Sequence, residues 1–167
     1  MLNNIIQGIK NLLYWFPIIW KDRNFDQHFI YEILKHKLKY QSKSILKNNI
    51  HTSAERNSRI MNTCISLIDK VQSEFYLYEH LDHFELSSCT KLNSNRIYPS
   101  VTMNIKDDRL ALYFNKYKRI FKKQNTATPI APKQRLYAAN KIAEYNHNKA
   151  KNLLFKTIKE NIDHWWD

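Results

Sequence analysis

One glycine, Gly8, in 167 residues is the feature that most narrows what this chain can fold into. Glycine reaches positive φ without steric cost, and tight hairpins, phosphate-cradling loops and dinucleotide fingerprints use it repeatedly. A chain with a single glycine is left with helices joined by polar or proline-containing connections. Its apolar content of 43% with 13% aromatics is too high for a disordered basic tail, and its length suits one domain with a real core. The expected class is therefore mainly α. We expect a single-domain helical bundle over residues 1–167, with four to five helices and a small β-hairpin insertion. Residues 84–132 read as a variable stretch of hairpin, basic helix and linker.

Apolar spacing places the helices. Leu2, Ile5, Ile6, Ile9, Leu12, Leu13 and Phe16 recur three and four apart, which predicts an amphipathic helix ending before Pro17, because proline disfavours helical geometry in the residue before it. An aromatic-rich connector, 15–26, follows, with Asp22 or Asp26 as a cap for the next helix. There Ile30, Leu34, Leu38, Gln41 and Ile45 trace one face to about Lys47, and Asn48-Asn49 marks the break. Thr52 with Glu55 fits a capping box. Met61, Cys64, Ile65, Ile68, Val71, Phe75, Tyr78 and Leu81 then keep helical period over several turns.

Residues 84–105 break that period. Val101, Met103 and Ile105 alternate with polar residues, so a short hairpin is expected, with either Phe84–Leu86 or Leu110–Phe114 as the partner strand. Residues 109–123 fit both a strand and a helix; Asp107 and Asp108 at one end and Lys122 and Lys123 at the other suit a helix macrodipole, which favours a helix over at least the second half. Thr126 to Lys133 reads as a linker, with Pro132 in a first helical turn. The last helix carries Leu136, Ala139, Ala143, Ala150, Leu153, Leu154, Ile158, Ile162 and Trp165.

Two cysteines, Cys64 and Cys89, form no metal or redox pattern, and Cys64 on an apolar helix face reads as a buried thiol. The longest apolar run, Leu12 to Trp20, is less than half of the roughly 20 residues a membrane-spanning helix needs. No signal-peptide pattern precedes it. A membrane-surface role for this segment is disfavoured by Asp22 and Asp26 directly after it. The expected setting is a reducing cytoplasm, with no membrane partner.

The net charge is +12, and it is not spread evenly. Residues 1–50 carry +5, residues 51–100 carry −1, residues 101–150 carry +8, and the remainder balance. Lys35, Lys39, Lys43 and Lys47 recur every four residues. Lys116, Lys118, Arg119, Lys122 and Lys123 interleave with Tyr113, Tyr117 and Phe121. Helical lysines neutralise phosphates and release counterions, giving sequence-independent affinity that falls with salt, and aromatics beside them can stack on unpaired bases. The candidate nucleic-acid contacts are Lys35, Lys39, Lys43, Lys116, Arg119, Lys122 and Lys123. The competing reading is a solvated lysine face with the Tyr and Phe rings turned into the core.

Catalytic and metal signals are thin. His28, Glu32 and His36 lie four apart, spanning about 12 Å, too far for one ion. Glu79, His80, Asp82, His83 and Glu85 cluster at a helix end, where a favourable interaction of His80 and His83 with the helix C-terminus is the preferred reading over a metal held with Asp82. No hydrolase, zincin or phosphate-loop motif is present. We therefore expect neither an enzyme nor a cofactor nor a bound metal. Trp15, Trp20 and Trp165 are expected to be buried or half-buried, with Trp165 docked against the N-terminal helix. Trp166, one position round, is then a candidate anchor for a protein partner.

The strings WFPIIWKDRNFD and HNKAKNLLFKTIKENIDHWWD together resemble the two ends of a family of small helical proteins of tailed bacteriophages, in which a W-x-P-x-I-W-x-D-R-x-x-D segment opens the chain and a W-W-D helix closes it. The likeness covers Trp15 to about Leu38 and His147 to Asp167, and the middle, 84–132, does not share it. The family has no established activity. The resemblance implies a phage context, the host cytoplasm, and three roles: handling phage nucleic acid, binding and inhibiting a host or defence-system protein, or a minor virion role. Partner, DNA against RNA, and oligomeric state stay open.

Overall fold

The computed structural model describes residues 2–21, 28–48, 52–93, 96–105, 107–123 and 132–165. The described chain is mainly α, built of several packed helices, and it divides into two compact units. One comprises Met1–Gln72 with Leu154–Asp167, the other Ser73–Leu153.

The first unit holds α1 (Leu2–Ile19), α2 (His28–Asn48) and α3 (Ala54–Gln72). Its core forms where the apolar strip of α3 meets α2. Met61, Cys64 and Ile68 are fully enclosed, packed with Leu38, Ile45 and Leu154. Burial pushes the Cys64 thiol up to about 11, so it remains protonated, as expected of a thiol inside an apolar cluster. At about 100° per residue, Leu38, Ser42 and Ile45 fall on one arc of α2, and these are its buried residues. Ile30 lies off that arc and is exposed, so it does not belong to the core face. Ser42 fills the arc because its hydroxyl is satisfied: it shares a buried 2.8 Å hydrogen bond with the Ser58 hydroxyl.

Trp165 closes this core. It stands at the end of a 3₁₀ turn, Ile162–Trp165, and is 3% exposed. Asn57 Nδ2 holds the turn by donating to the His164 carbonyl at 3.0 Å. Trp165 packs among residues of α2 and α3, not against the N-terminal helix. Trp15 is half-buried, but Trp20 is 77% exposed, which corrects the expectation of burial. The helix α1 also runs past Pro17 to Ile19. Proline gives up its own hydrogen bond and crowds the carbonyl four residues back, and the backbone nevertheless continues with Trp20 N–H to Phe16 O at 2.9 Å. At the next junction α3 begins at Ala54, and Glu55 pairs with Arg59 at 3.0 Å instead of reaching back to Thr52.

The second unit begins where α3 stops. Its helical period does not continue: Glu74 adopts φ 50°, ψ 30°, a left-handed backbone that interrupts the helix before the short α4 (Phe75–Tyr78). Phe75 and Tyr78, read as further turns of α3's apolar face, are exposed. A 3₁₀ turn, Glu79–His83, leads into β1 (Phe84–Asn93), paired antiparallel with β2 (Arg96–Ile105). Phe84 faces Ile105 and Leu86 faces Met103 in the register. Leu110–Phe114 is not a strand but part of α5 (Asp107–Lys116), and α6 (Lys118–Lys123) follows. Leu110 and Tyr113, at helical spacing, are buried against Ala139 and Ile142 of α7 (Pro132–Asn161), while Leu112 is 67% exposed. Ala138, Ala139 and Ala143 of α7 are buried as well. The linker residues 124–131 lie outside the described residues, as do Asp22 and Asp26.

Replacing Trp165 with Ala should cost about 3–5 kcal/mol, read as a lower urea midpoint. Trp165→Phe should cost less than half of that, since it also removes an indole N–H buried without a partner among the described residues. At position 74 the usual order of helix formers should invert. Glu74→Gly should be more stable than Glu74→Ala by about 1 kcal/mol, because only glycine occupies left-handed backbone without a Cβ penalty; equal thermal midpoints would refute the strain.

Candidate nucleic-acid interface

The lysines of α2 do not behave as one stripe. Four residues advance about 400°, so each step drifts by about 40°, and Lys35 ends nearest the core arc. There its ammonium pairs with Asp69 Oδ1 at 2.6 Å and with Glu32 Oε1 at 3.4 Å, leaving the side chain only 18% exposed. The hydrogen bond to Asp69, working against burial and helped by Glu32, holds the Lys35 ammonium above its ordinary value. Burial raises Glu32, but hydrogen bonds from Gln72 and Lys35 and the Lys35 charge outweigh it and hold the carboxyl below its ordinary value. Lys35 therefore acts inside the first unit as an α2–α3 tie. Lys39, Lys43 and Lys47 continue the drift onto solvent, exposed and without an ion pair among the described residues.

The second basic segment splits the same way. Lys116 Nζ is bound to the Glu79 carboxylate, which is itself well shielded. Tyr117 donates its hydroxyl to the same carboxylate at 2.5 Å. Burial, then this bond, pushes the Tyr117 phenol far up, and burial with the Glu79 charge does the same to Tyr113. Tyr113 is buried and Tyr117 half-buried, so neither ring is presented for stacking on a base. Both serve the core of their unit, packed with Phe114, Ile120 and Leu136. Lys118, Arg119 and Lys122 stand exposed with no ion pair among the described residues. Lys123 lies in α6, and its side chain is outside the described residues, as is Trp166. Lys39 and Lys43 belong to one compact unit and Arg119 and Lys122 to the other.

The histidines divide between a cleft and the interior. Between the end of α1 and the start of α2, Pro17, Ile18, Lys21, Phe29, Glu32 and His36 line a cavity of about 490 Å³ together with His28. His28 Nε2 lies 3.9 Å from Glu32 Oε1. His36, which also lines the cavity, lies against the Tyr14 ring with centroids 4.0 Å apart and the planes tilted by 33°, and its Nε2 is buried. At the other cluster His80 is buried beside Tyr113 while Asp82 points to solvent. Among the described residues no group of three or more His, Cys, Asp or Glu side chains is placed to hold a metal ion. The spacing of these residues did not reveal the Glu79–Lys116–Tyr117 constellation, because Glu79 is far from its partners along the chain.

No family model matches this chain, and no curated protein or solved structure matches it either. Its functional reading rests on its own residues.

His147, buried in α7, is held below its ordinary value by burial and by the Lys151 charge, against a smaller opposing pull from Glu74. A base with a depressed folded-state value stabilises the fold fully above its unfolded value of 6.5. That stability is lost as pH falls from there through the folded value. Stability should therefore fall as the pH drops below about 6.5, and His147→Gln should flatten that part of the curve in urea titrations at stepped pH.

Proposed function

We propose that the protein is a non-enzymatic accessory protein that associates with nucleic acid through two separate basic helical faces, Lys39, Lys43 and Lys47 on α2 and Lys118, Arg119 and Lys122 on α6. The observation that carries this reading is the division among the cations. Lys35 and Lys116 are consumed by carboxylates, while these six stand in solvent with none among the described residues. Unpaired cations on a helix are the arrangement that neutralises phosphates and releases counterions. With the Tyr113 and Tyr117 rings packed into the core of their unit, the expected mode is backbone binding with little base discrimination. Lys123 extends the second face in sequence. A phage setting, in the host cytoplasm, is the context we propose from the resemblance of the two chain ends. The alternative, a module that occupies a host protein through Trp166, rests on a residue outside the described ones.

Affinity for single- and double-stranded oligonucleotides of mixed sequence, measured by fluorescence anisotropy across a salt series, tests the proposal. Binding should be present at low salt and fall linearly in a log–log plot. A Lys39, Lys43 and Lys47→Gln variant should lower the magnitude of the slope by about 2–3. Lys35→Gln should leave the slope alone and reduce stability instead. No binding at low salt, or equal slopes for wild type and triple variant, would overturn it.

A further inference from the structure

The helix α1 is attached to its own unit by the wrong side. Its links to α2 run through Tyr14, whose hydroxyl donates to the His36 carbonyl at 2.9 Å, through the Tyr14 ring against Tyr40 at 4.9 Å between centroids, and through Trp15 against His36 at 5.3 Å. On a helical projection, Tyr14 and Trp15, with half-buried Ile18, fall on the side that also carries Asn4, Gln7 and Asn11. Leu2, Ile5, Ile9, Leu13, Phe16 and Trp20 fall within an arc of about 80° on the opposite side, and each is at least half exposed. No residue of α1 is buried. An 18-residue helix thus presents an apolar strip about 27 Å long to solvent, which is the reverse of how an amphipathic helix serves a core.

We propose that this strip binds an anionic lipid surface, with α1 lying in the plane of the headgroups. The helix has the composition for it: leucine, isoleucine, phenylalanine and tryptophan on one face, and no acidic residue anywhere from 1 to 21. Lys10 and Lys21, both exposed, project together to one side of the strip, where their stems can lie along apolar surface and their ammonium groups can reach lipid phosphates. Asp22 and Asp26 follow, yet residues 1–27 still hold three cations against two carboxylates. Charge decides against the obvious rival, a second copy of the chain. Two copies each carry +12 and repel, whereas the same charge draws one copy to an anionic surface. Geometry agrees, because the strip is one helix wide and projects from the back of its attachment, which suits a planar surface. No described helix is long and apolar enough to cross a membrane, so the contact is peripheral. It is independent of the nucleic-acid reading.

The test is flotation of nuclease-treated full-length protein with phosphatidylglycerol–phosphatidylcholine vesicles and with phosphatidylcholine alone. Wild type should float with the anionic vesicles and much less with the neutral ones, and its tryptophan emission should shift to shorter wavelength. Ile9→Asn with Leu13→Asn should weaken partitioning at least about tenfold at an unchanged thermal midpoint, because neither side chain supports the fold. Trp20→Phe should still float and lose much of the emission shift. Failure of wild type to float would overturn the proposal. So would a dimer in light scattering that the Ile9 and Leu13 substitutions turn into a monomer, since that would make the strip a contact between copies.

Discussion

The first unit depends on one contact, the apolar strip of α3 laid against α2. Met61, Cys64 and Ile68 are completely enclosed, but the matching arc of α2 offers only Leu38 and Ile45 as buried apolar side chains, with Ser42 between them. Burial is worth about 25 cal/mol per Å² of apolar surface, so a partner face this thin leaves α3 short of cover. Trp165 and Leu154 supply the difference from the far end of the sequence. The Ser42–Ser58 hydrogen bond then fixes how α2 and α3 sit along one another, because sliding either helix would strand two hydroxyls inside. Lys35 with Asp69 repeats the same tie at the solvent margin.

This packing also determines which cations are free to act elsewhere. Lys35 lies where α2 turns toward α3, so the drift of a four-residue repeat brings its ammonium to Asp69, and the next three lysines rotate away from the core. In the second unit Glu79 plays the corresponding part. It gathers Lys116 and Tyr117, and the tyrosine rings that appear interleaved with lysine in the sequence become the inner face of α5 and α6. The pairing leaves the net charge of +12 unchanged, because the carboxylates are already counted in it, and decides instead which cations stand without a carboxylate beside them.

What the sequence made legible was periodicity. The strip Met61–Val71 and the buried Cys64 follow from spacing of three and four, and they hold. The helical assignment of the second basic segment rests on the charges at its two ends, and Trp165 is buried, though in a different place from the one expected. The misreadings share a different cause. Pro17 reads as a helix end because its steric effect on the preceding residue is local and real, but its cost in a final turn does not stop a helix already formed from running on to Ile19. Phe75 and Tyr78 keep the period of α3 in sequence, yet the helical backbone is interrupted at Glu74, a non-glycine residue at positive φ that no sequence rule announces. Of the candidate interface, the exposed Lys39, Lys43, Arg119 and Lys122 were legible from spacing. The capture of Lys116 by Glu79 was not, since ion pairs between distant residues leave no periodic trace.

The same limit explains α1. Spacing established that Leu2 to Phe16 form an apolar face, and it also suggested that this face belongs to a core, because most amphipathic helices in compact domains bury theirs. Periodicity reports that a face exists and says nothing of what it meets. The deciding residues are on the other side of the helix, where Tyr14 and Trp15 close on the His36 ring and the Tyr14 hydroxyl finds the His36 carbonyl. Aromatic rings with a polar handle can anchor a helix by its polar side at little cost in desolvation, and once they do so the apolar arc has nowhere to point but outward. The paired aromatics at 14 and 15, set opposite the leucine and isoleucine strip, are thus what turns an ordinary amphipathic helix into a surface held open for something outside the chain.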